Sequence, residues 1–158
     1  MTPEKKARIK IDRWFAEAGW QVVNRDEFEP TMSAVAVREG LLEGNLEADY
    51  LMFVNGKVCG VLEAKREDVD VDSDIVSDQV ATYAKSVPGC YQTWQKPTPL
   101  LFKSNGKVVL FQDFRKTNTE WDTINRIHTP KEVVSMLGID DPFAGLPTLS
   151  KKGLRDCQ

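Results

Sequence analysis

Glu63 and Lys65 stand two apart in an apolar run, Val61-Leu62-Glu63-Ala64-Lys65, and Asp49 sits near the start of another, Ala48 to Val54, a short distance upstream. Hydrolysis of a phosphodiester needs a divalent cation held where the scissile phosphate will sit, and hard cations such as Mg²⁺ prefer carboxylate oxygens. The ion stabilises charge on the phosphate and lowers the pKa of a bound water. A lysine close by can orient or deprotonate that water, or neutralise the transition state. Two carboxylates and a lysine converging on one spot are the minimum for this chemistry, and Asp49, Glu63 and Lys65 can supply them.

Convergence depends on register. Side chains alternate along a strand, so Glu63 and Lys65 share a face, roughly 6–7 Å apart. Ala48–Val54 and Lys57–Lys65 are β-prone runs joined by Asn55-Gly56, a strong hairpin signal. A two-residue turn pairs Val54 with Lys57 and sets Asp49 opposite Leu62, facing away from Glu63. A three-residue loop, Val54-Asn55-Gly56 with a glycine bulge, pairs Phe53 with Lys57 and Asp49 with Val61. Asp49 then lies on the face of Glu63 and Lys65, diagonal to Glu63. We expect this register, or an equivalent bulge.

Glu-x-Lys alone is a weak pattern. The chain holds a second one, Glu4-Lys5-Lys6, at a helix start where we read no meaning into it. The aspartate, the hairpin and the apolar strand that delivers Glu63-Ala64-Lys65 raise the specificity. The bland alternative is a solvated strand face, but Val61, Leu62 and Ala64 make that face half-buried. Gln79 and Tyr83 lie four apart on one face of the next helix. Alone they read as a surface residue and a core aromatic; beside the carboxylate hairpin they could orient the lysine or contact DNA.

Other chemistries fit poorly. His128 is the single histidine, which argues against His-rich metal sites and leaves a Ser-His-Asp triad resting on it alone. Three cysteines, Cys59, Cys90 and Cys157, give no CxxC spacing and no paired framework; Cys59 reads as a small core residue. The aspartates at 68, 70, 72 and 74 suggest a calcium loop, but the glycine and glutamate such a loop requires are missing. Trp14, Trp20, Trp94 and Trp121 could stack bases, although core packing is the simpler account of those near the first helix.

The elements that would position the site follow from local signals. Thr2 and Pro3 open a helix over about 3–18, with Ala7, Ile11, Trp14, Phe15 and Ala18 on one face, and Gly19 stops it. Short strands follow at 20–24 and 34–38. Beyond the hairpin come an acidic loop at 67–74, a helix from Asp74 to about Val87 capped by Ser73 or Asp72, and a second hairpin turning at Asn105-Gly106. Thr129-Pro130-Lys131-Glu132 is a capping box that opens a short helix ending at Gly138. This order predicts an α/β fold, a mixed central sheet flanked by helices.

The chain has 158 residues, 41% of them hydrophobic, and a formal net charge of −3. That length fits one domain with a real core. The negative balance argues mildly against a dedicated DNA-binding module, which would be basic. No apolar run approaches the ~18 residues a membrane span requires. With no signal-peptide pattern either, we expect a cytoplasmic protein without a membrane partner.

Ala48-Asp49-Tyr50-Leu51, then Val61-Leu62-Glu63-Ala64-Lys65-Arg66, then Gln79-x-x-x-Tyr83, resemble the N-terminal nuclease domain of type I restriction enzyme R subunits, a QxxxY branch of the PD-(D/E)xK superfamily. Ala18-Gly19-Trp20, Leu101-Phe102 and Asn105-Gly106 fit the same pattern. The resemblance implies a restriction-endonuclease-like fold. It also implies that Asp49 and Glu63 bind Mg²⁺, that Lys65 assists hydrolysis, and that Gln79 and Tyr83 are accessory. A further acidic residue on the first helix is common in the superfamily, with Asp12 and Glu17 as candidates here. Ala48 replaces the proline of the superfamily name, and the 67–74 loop is unusually acidic for a neighbour of DNA. Such R subunits cut double-stranded DNA with methylation and specificity subunits after ATP-driven translocation. The tail, Gly153-Leu154-Arg155-Asp156-Cys157-Gln158, resembles the opening motif of a superfamily 2 helicase. We therefore expect a nuclease domain over 1–115, and over 116–158 a helical segment and linker leading to a translocase. The chain holds no GxxxxGK[ST] motif, so ATP would be used only by that missing domain. The competing expectations are a catalytically inactive DNA-binding or subunit-docking domain, and a stand-alone nuclease of the same superfamily.

Overall fold

The computed structural model describes residues 2–94, 97–116 and 120–138. Over these, a mixed sheet is covered by helices on both faces, the expected α/β architecture. Helix α1 (Pro3–Ala18) is capped by Thr2, whose hydroxyl accepts from the Lys5 amide, and ends at Gly19 in the left-handed conformation. Strands β1 (Gln21–Asn24), β2 (Ala34–Leu41), β3 (Glu47–Val54) and β4 (Lys57–Ala64) follow. Helix α2 (Asp74–Lys85) starts at Ser73 and carries the chain to β5 (Gln92–Thr93) and β6 (Leu100–Ser104). Strands β7 (Val109–Asp113) and β8 (Asp122–Ile124) and helix α3 (Pro130–Leu137) complete the described chain.

The strand order is β1-β2-β3-β4-β6-β7-β8, with β5 beside β4. Pairs β1–β2 and β4–β6 are parallel; β2–β3–β4 and β6–β7–β8 are antiparallel. One apolar layer joins Ile11 and Phe15 of α1 and Val133 and Val134 of α3 to Tyr50, Met52, Leu62 and Phe102. The other joins Val80 and Ala84 of α2 to Val35, Leu51, Phe53, Val61 and Leu101. Strand β8 and helix α3 lie past the expected boundary at residue 115 and pack into the same core, with Ile127 and Val133 fully buried. The helicase-like tail lies outside the described residues.

The β3–β4 hairpin departs from the expected loop. Asn55 (φ 51°) and Gly56 (φ 78°) are both left-handed and form a two-residue turn closed by Val54 and Lys57. This corrects the three-residue loop and its Phe53–Lys57 and Asp49–Val61 pairs. Asn-Gly satisfies the two-residue turn because both its positions need positive φ. The shift arises instead as a bulge farther along. Phe53 pairs with Val58 but Met52 pairs with Gly60, leaving Cys59 as the extra residue. Val58 joins the α2-side core, Cys59 joins the α1 side, and Val61 returns to the α2 side. A Cβ on Gly60 would point at Met52 Sδ, on the α1 side. Two successive positions thus face α1, and every later residue of β4 changes face.

Gly60 makes the bulge fit. An added Cβ would lie 3.1 Å from both the Leu100 carbonyl oxygen and Met52 Sδ. Gly60→Val should therefore cost about 1–3 kcal/mol through overpacking. A urea midpoint equal to that of the unmodified chain would show that the strand has room here.

Candidate active site

The bulge decides what Asp49 meets. Beyond it Tyr50 pairs with Leu62, so the next position sets Asp49 level with Glu63. Alternation along β4 puts Glu63 and Lys65 on the α2 side with Val61, while β3 breaks its alternation at Asp49, since Ala48 lies in the α2-side core and Tyr50 in the α1-side core. Asp49 Oδ2 accepts a 2.7 Å hydrogen bond from the Ala64 amide, locking the two strand ends together. Lys65 Nζ donates to Glu63 Oε1 at 3.1 Å. Glu63 is 4% exposed, and its Oε2 is buried with no hydrogen-bond partner.

Helix α1 contributes a wall of the site. A cavity of about 130 Å³ is lined by Glu4, Arg8, Asp49, Glu63, Ala64 and Lys65. Arg8 Nη2 is hydrogen-bonded to Asp49 Oδ1, and its Nη1 lies 3.4 Å from Glu39 Oε1. Glu39 holds φ 54° inside β2, between positions paired with Tyr50 and Ala48 and so level with Asp49. A left-handed non-glycine residue costs about 1 kcal/mol or more, and such strain gathers at functional sites. Glu4 and Arg8 lie four apart on the flank of the stripe that buries Ala7 and Ile11.

Neither first-helix acid weighed from the sequence lines this cavity. Asp12 accepts from the Tyr50 hydroxyl at 2.6 Å and from Arg38 Nη2 at 3.0 Å. Glu17 is exposed. Glu4, in the Glu4-Lys5-Lys6 stretch at the helix start, is the acid of α1 in the wall. The signal that could have found it is the i, i+4 pairing of Glu4 with Arg8 beside an apolar stripe.

On α2, the Gln79 amide donates to the Tyr83 hydroxyl at 3.1 Å, and Tyr83 packs against the α2-side core. Burial first, then the charge of Glu63, raises the Tyr83 pKa, so the phenol stays neutral and able to donate. The tryptophans act structurally: Trp20 Nε1 donates to the His128 carbonyl and Trp94 Nε1 to the Val54 carbonyl. His128 stacks edge-on against Phe102 and Phe111, within the α1-side layer.

The donor set can be judged for a cation. Among the described residues no three His, Cys, Asp or Glu side chains gather as a metal-binding group. Two carboxylates remain, one with an unpartnered buried oxygen. That fits Mg²⁺, which is typically held by one or two carboxylates and keeps several waters. It does not fit Zn²⁺, which takes three or four protein ligands, nitrogen and sulfur among them.

Burial, and then the charge of Asp49, pushes the Glu63 carboxyl up to about 8, against the opposing pull of Lys65. Without metal, the folded protein keeps a proton on Glu63 that the unfolded chain releases near the usual 4.5. Stability is then eroded as pH rises from about 4.5 to about 8, and the loss is complete above that. Glu63→Gln removes the loss. Its stability in chelator should gain on the unmodified chain by a few kcal/mol, to order of magnitude, between about pH 5 and about pH 9. Parallel pH profiles from urea melts would contradict this electrostatic account.

A family model described as the second domain of the type I restriction enzyme EcoKI endonuclease subunit matches residues 5–137. The EcoKI endonuclease subunit of Escherichia coli (strain K12) is 24% identical over 213 residues, covering 96% of this chain and 18% of that protein. A solved fragment of an HsdR subunit of a type I restriction enzyme from Vibrio vulnificus YJ016 superimposes with a TM-score of 0.59. It is 21% identical, over 91% of this chain and 27% of the other, and shows that the fold is shared. The chain thus spans a minor part of each relative, and it belongs to the family of the second domain of the type I restriction enzyme EcoKI endonuclease subunit.

Proposed function

We propose that this domain is a Mg²⁺-dependent endonuclease that hydrolyses phosphodiester bonds of double-stranded DNA. The observation that carries the reading is the bulge-set register, which levels Asp49 with Glu63 and leaves Lys65 bonded to the same carboxylate. Asp49 and Glu63 are the residues that would hold Mg²⁺. When bound, the ion supplies an acidic water and positive charge for the phosphate. Lys65, 28% exposed, projects its ammonium beside Glu63 and can donate a hydrogen bond to the attacking water or to a phosphate oxygen. The Arg8 guanidinium neutralises Asp49 here and suits bidentate contact with a phosphate once that carboxylate has another partner. Tyr83 and Gln79 form a neutral donor pair on α2, the helix over the face that carries Glu63 and Lys65.

In this reading the domain works within a larger R subunit, beside methylation and specificity subunits, and ATP is consumed by a translocase domain elsewhere in that subunit. Among the described residues no helix is long and apolar enough to cross a membrane. A catalytically inactive docking or DNA-binding domain is the competing reading, and the metal titration separates the two.

Calorimetric titration of Ca²⁺, which should occupy the site without supporting turnover, should show binding that Asp49→Ala and Glu63→Ala each abolish. Below about pH 8 binding should release up to one proton per site, because Glu63 must ionise to ligate. Heats measured in buffers of different ionisation enthalpy read that proton. Lys65→Ala should keep Ca²⁺ binding and lose Mg²⁺-dependent nicking of plasmid DNA by about 10²-fold or more. Unchanged heats in both carboxylate variants would favour the docking reading.

A further inference from the structure

The outer face of α1 is not used by the site. Lys6, Lys10 and Arg13 recur at i, i+4 and i+7 on that face, with Lys5 beside them, and all four are exposed. Ile9, 45% exposed, lies among them. The turn between β6 and β7 packs against the same helix. A Cβ on Gly106 would lie 3.0 Å from the Ala7 Cα, so Lys107 is brought beside the Lys6 side of α1. The loop after β4 reaches the same place. Asn105 Nδ2 donates to the Val69 carbonyl at 3.0 Å, and Glu67 is ion-paired with Lys10. Lys10, and then Lys107 and Lys6, hold the Glu67 carboxyl below its usual range.

Two elements thus bring cations to a carboxylate that a third supplies, beside the helix whose other flank carries Glu4 and Arg8 into the candidate active site. The two flanks of a helix are about 10–12 Å apart. A duplex lying over α1 could therefore place one stretch of backbone at the outer lysines and another at the carboxylates. We propose that Lys6, Lys10, Arg13 and Lys107 form a track for the phosphate backbone of duplex DNA, with Glu67 as an internal counter-charge that a phosphate displaces. The inference rests on the nuclease reading for its choice of partner. Charge complementarity and continuity with the site favour DNA over an acidic protein. Phosphate neutralisation also supplies most of the affinity in sequence-independent binding.

The test is duplex binding by fluorescence anisotropy across a salt series, with the 158-residue chain in chelator, so that the outcome does not depend on the metal. Lys6→Ala/Lys10→Ala/Lys107→Ala should weaken binding at least tenfold. It should also flatten the slope of log affinity against log salt by about 0.9 for each lost phosphate contact. Glu67→Gln should tighten binding several-fold. A control with Lys85→Ala, Lys116→Ala and Lys131→Ala removes the same charge elsewhere and should behave like the unmodified chain. Equal weakening in the two triple variants would overturn the track, as would an unmodified chain that binds no duplex. Neither result touches the nuclease reading, which metal-dependent cleavage decides on its own.

Discussion

One extra residue in β4 governs the candidate site. With the two-residue turn at Asn55-Gly56 and an unbroken ladder, Asp49 would stand opposite Leu62 and face away from Glu63. Cys59 adds one position, Tyr50 meets Leu62, and Asp49 comes level with Glu63, close enough to bond the Ala64 amide. Strand periodicity makes the alternative severe, since a one-residue slip moves a whole face of side chains to the other side of the sheet. Here the slip also has to bury Leu62 with α1 and Val61 with α2, and the two cores hold it in place. The bulge is thus fixed by apolar packing on both faces, while its consequence is polar.

That consequence is costly to the folded state. Glu63 is buried beside another carboxylate, with one oxygen unpartnered, on a sheet whose buried side chains are mostly apolar. A buried carboxylate with incomplete partners is destabilising unless a proton, a cation or a hydrogen-bond donor completes it. Lys65 supplies part of the compensation, and Arg8 supplies it for Asp49. In the proposed reading, a divalent cation held by Asp49 and Glu63 would complete it. A geometry that weakens the fold in this way is the arrangement expected where function is built at the expense of stability.

Local signals made much of the framework legible. Thr2-Pro3 and Gly19 bound α1, Asn55-Gly56 makes the hairpin turn, and Thr129 with Glu132 caps α3, because each depends on hydrogen bonds closed within a few residues. What depends on distant packing was less legible. β5 and β8 are short strands whose existence is decided by the neighbours they pair with. The bulge left one trace in the sequence, Gly60 inside a strand, a position where glycine often marks a bulge or a close backbone approach. The hairpin's overall effect on Asp49 and Glu63 could be anticipated, but its place along β4 could not, since Met52 and Leu100 define it from other strands. The role of Arg8 was equally hidden, because a cation on a helix surface looks the same in sequence whether it faces water or a carboxylate.

The net charge of −3 is a poor guide to this surface, because distribution and not the total sets the local potential. Much of the acidity near the site lies in the loop after β4, and there it is engaged. Glu67 pairs with Lys10, Asp68 with Arg66 at 3.1 Å, and Asp72 lies 3.6 Å from the buried Lys103 ammonium. Asp70 accepts from the Asp72 amide and shapes the turn that leads to the Ser73 cap of α2. The loop therefore serves as a brace between α1, β6 and α2, and its charges are directed largely at the protein's own cations. The Glu67–Lys10 and Asp68–Arg66 pairs face water and are weak. A polyanion that offers several phosphates at once can outcompete the single carboxylate of Glu67. An acidic loop beside a nuclease-like site is then compatible with DNA, and it favours ligands with closely spaced charges over isolated anions.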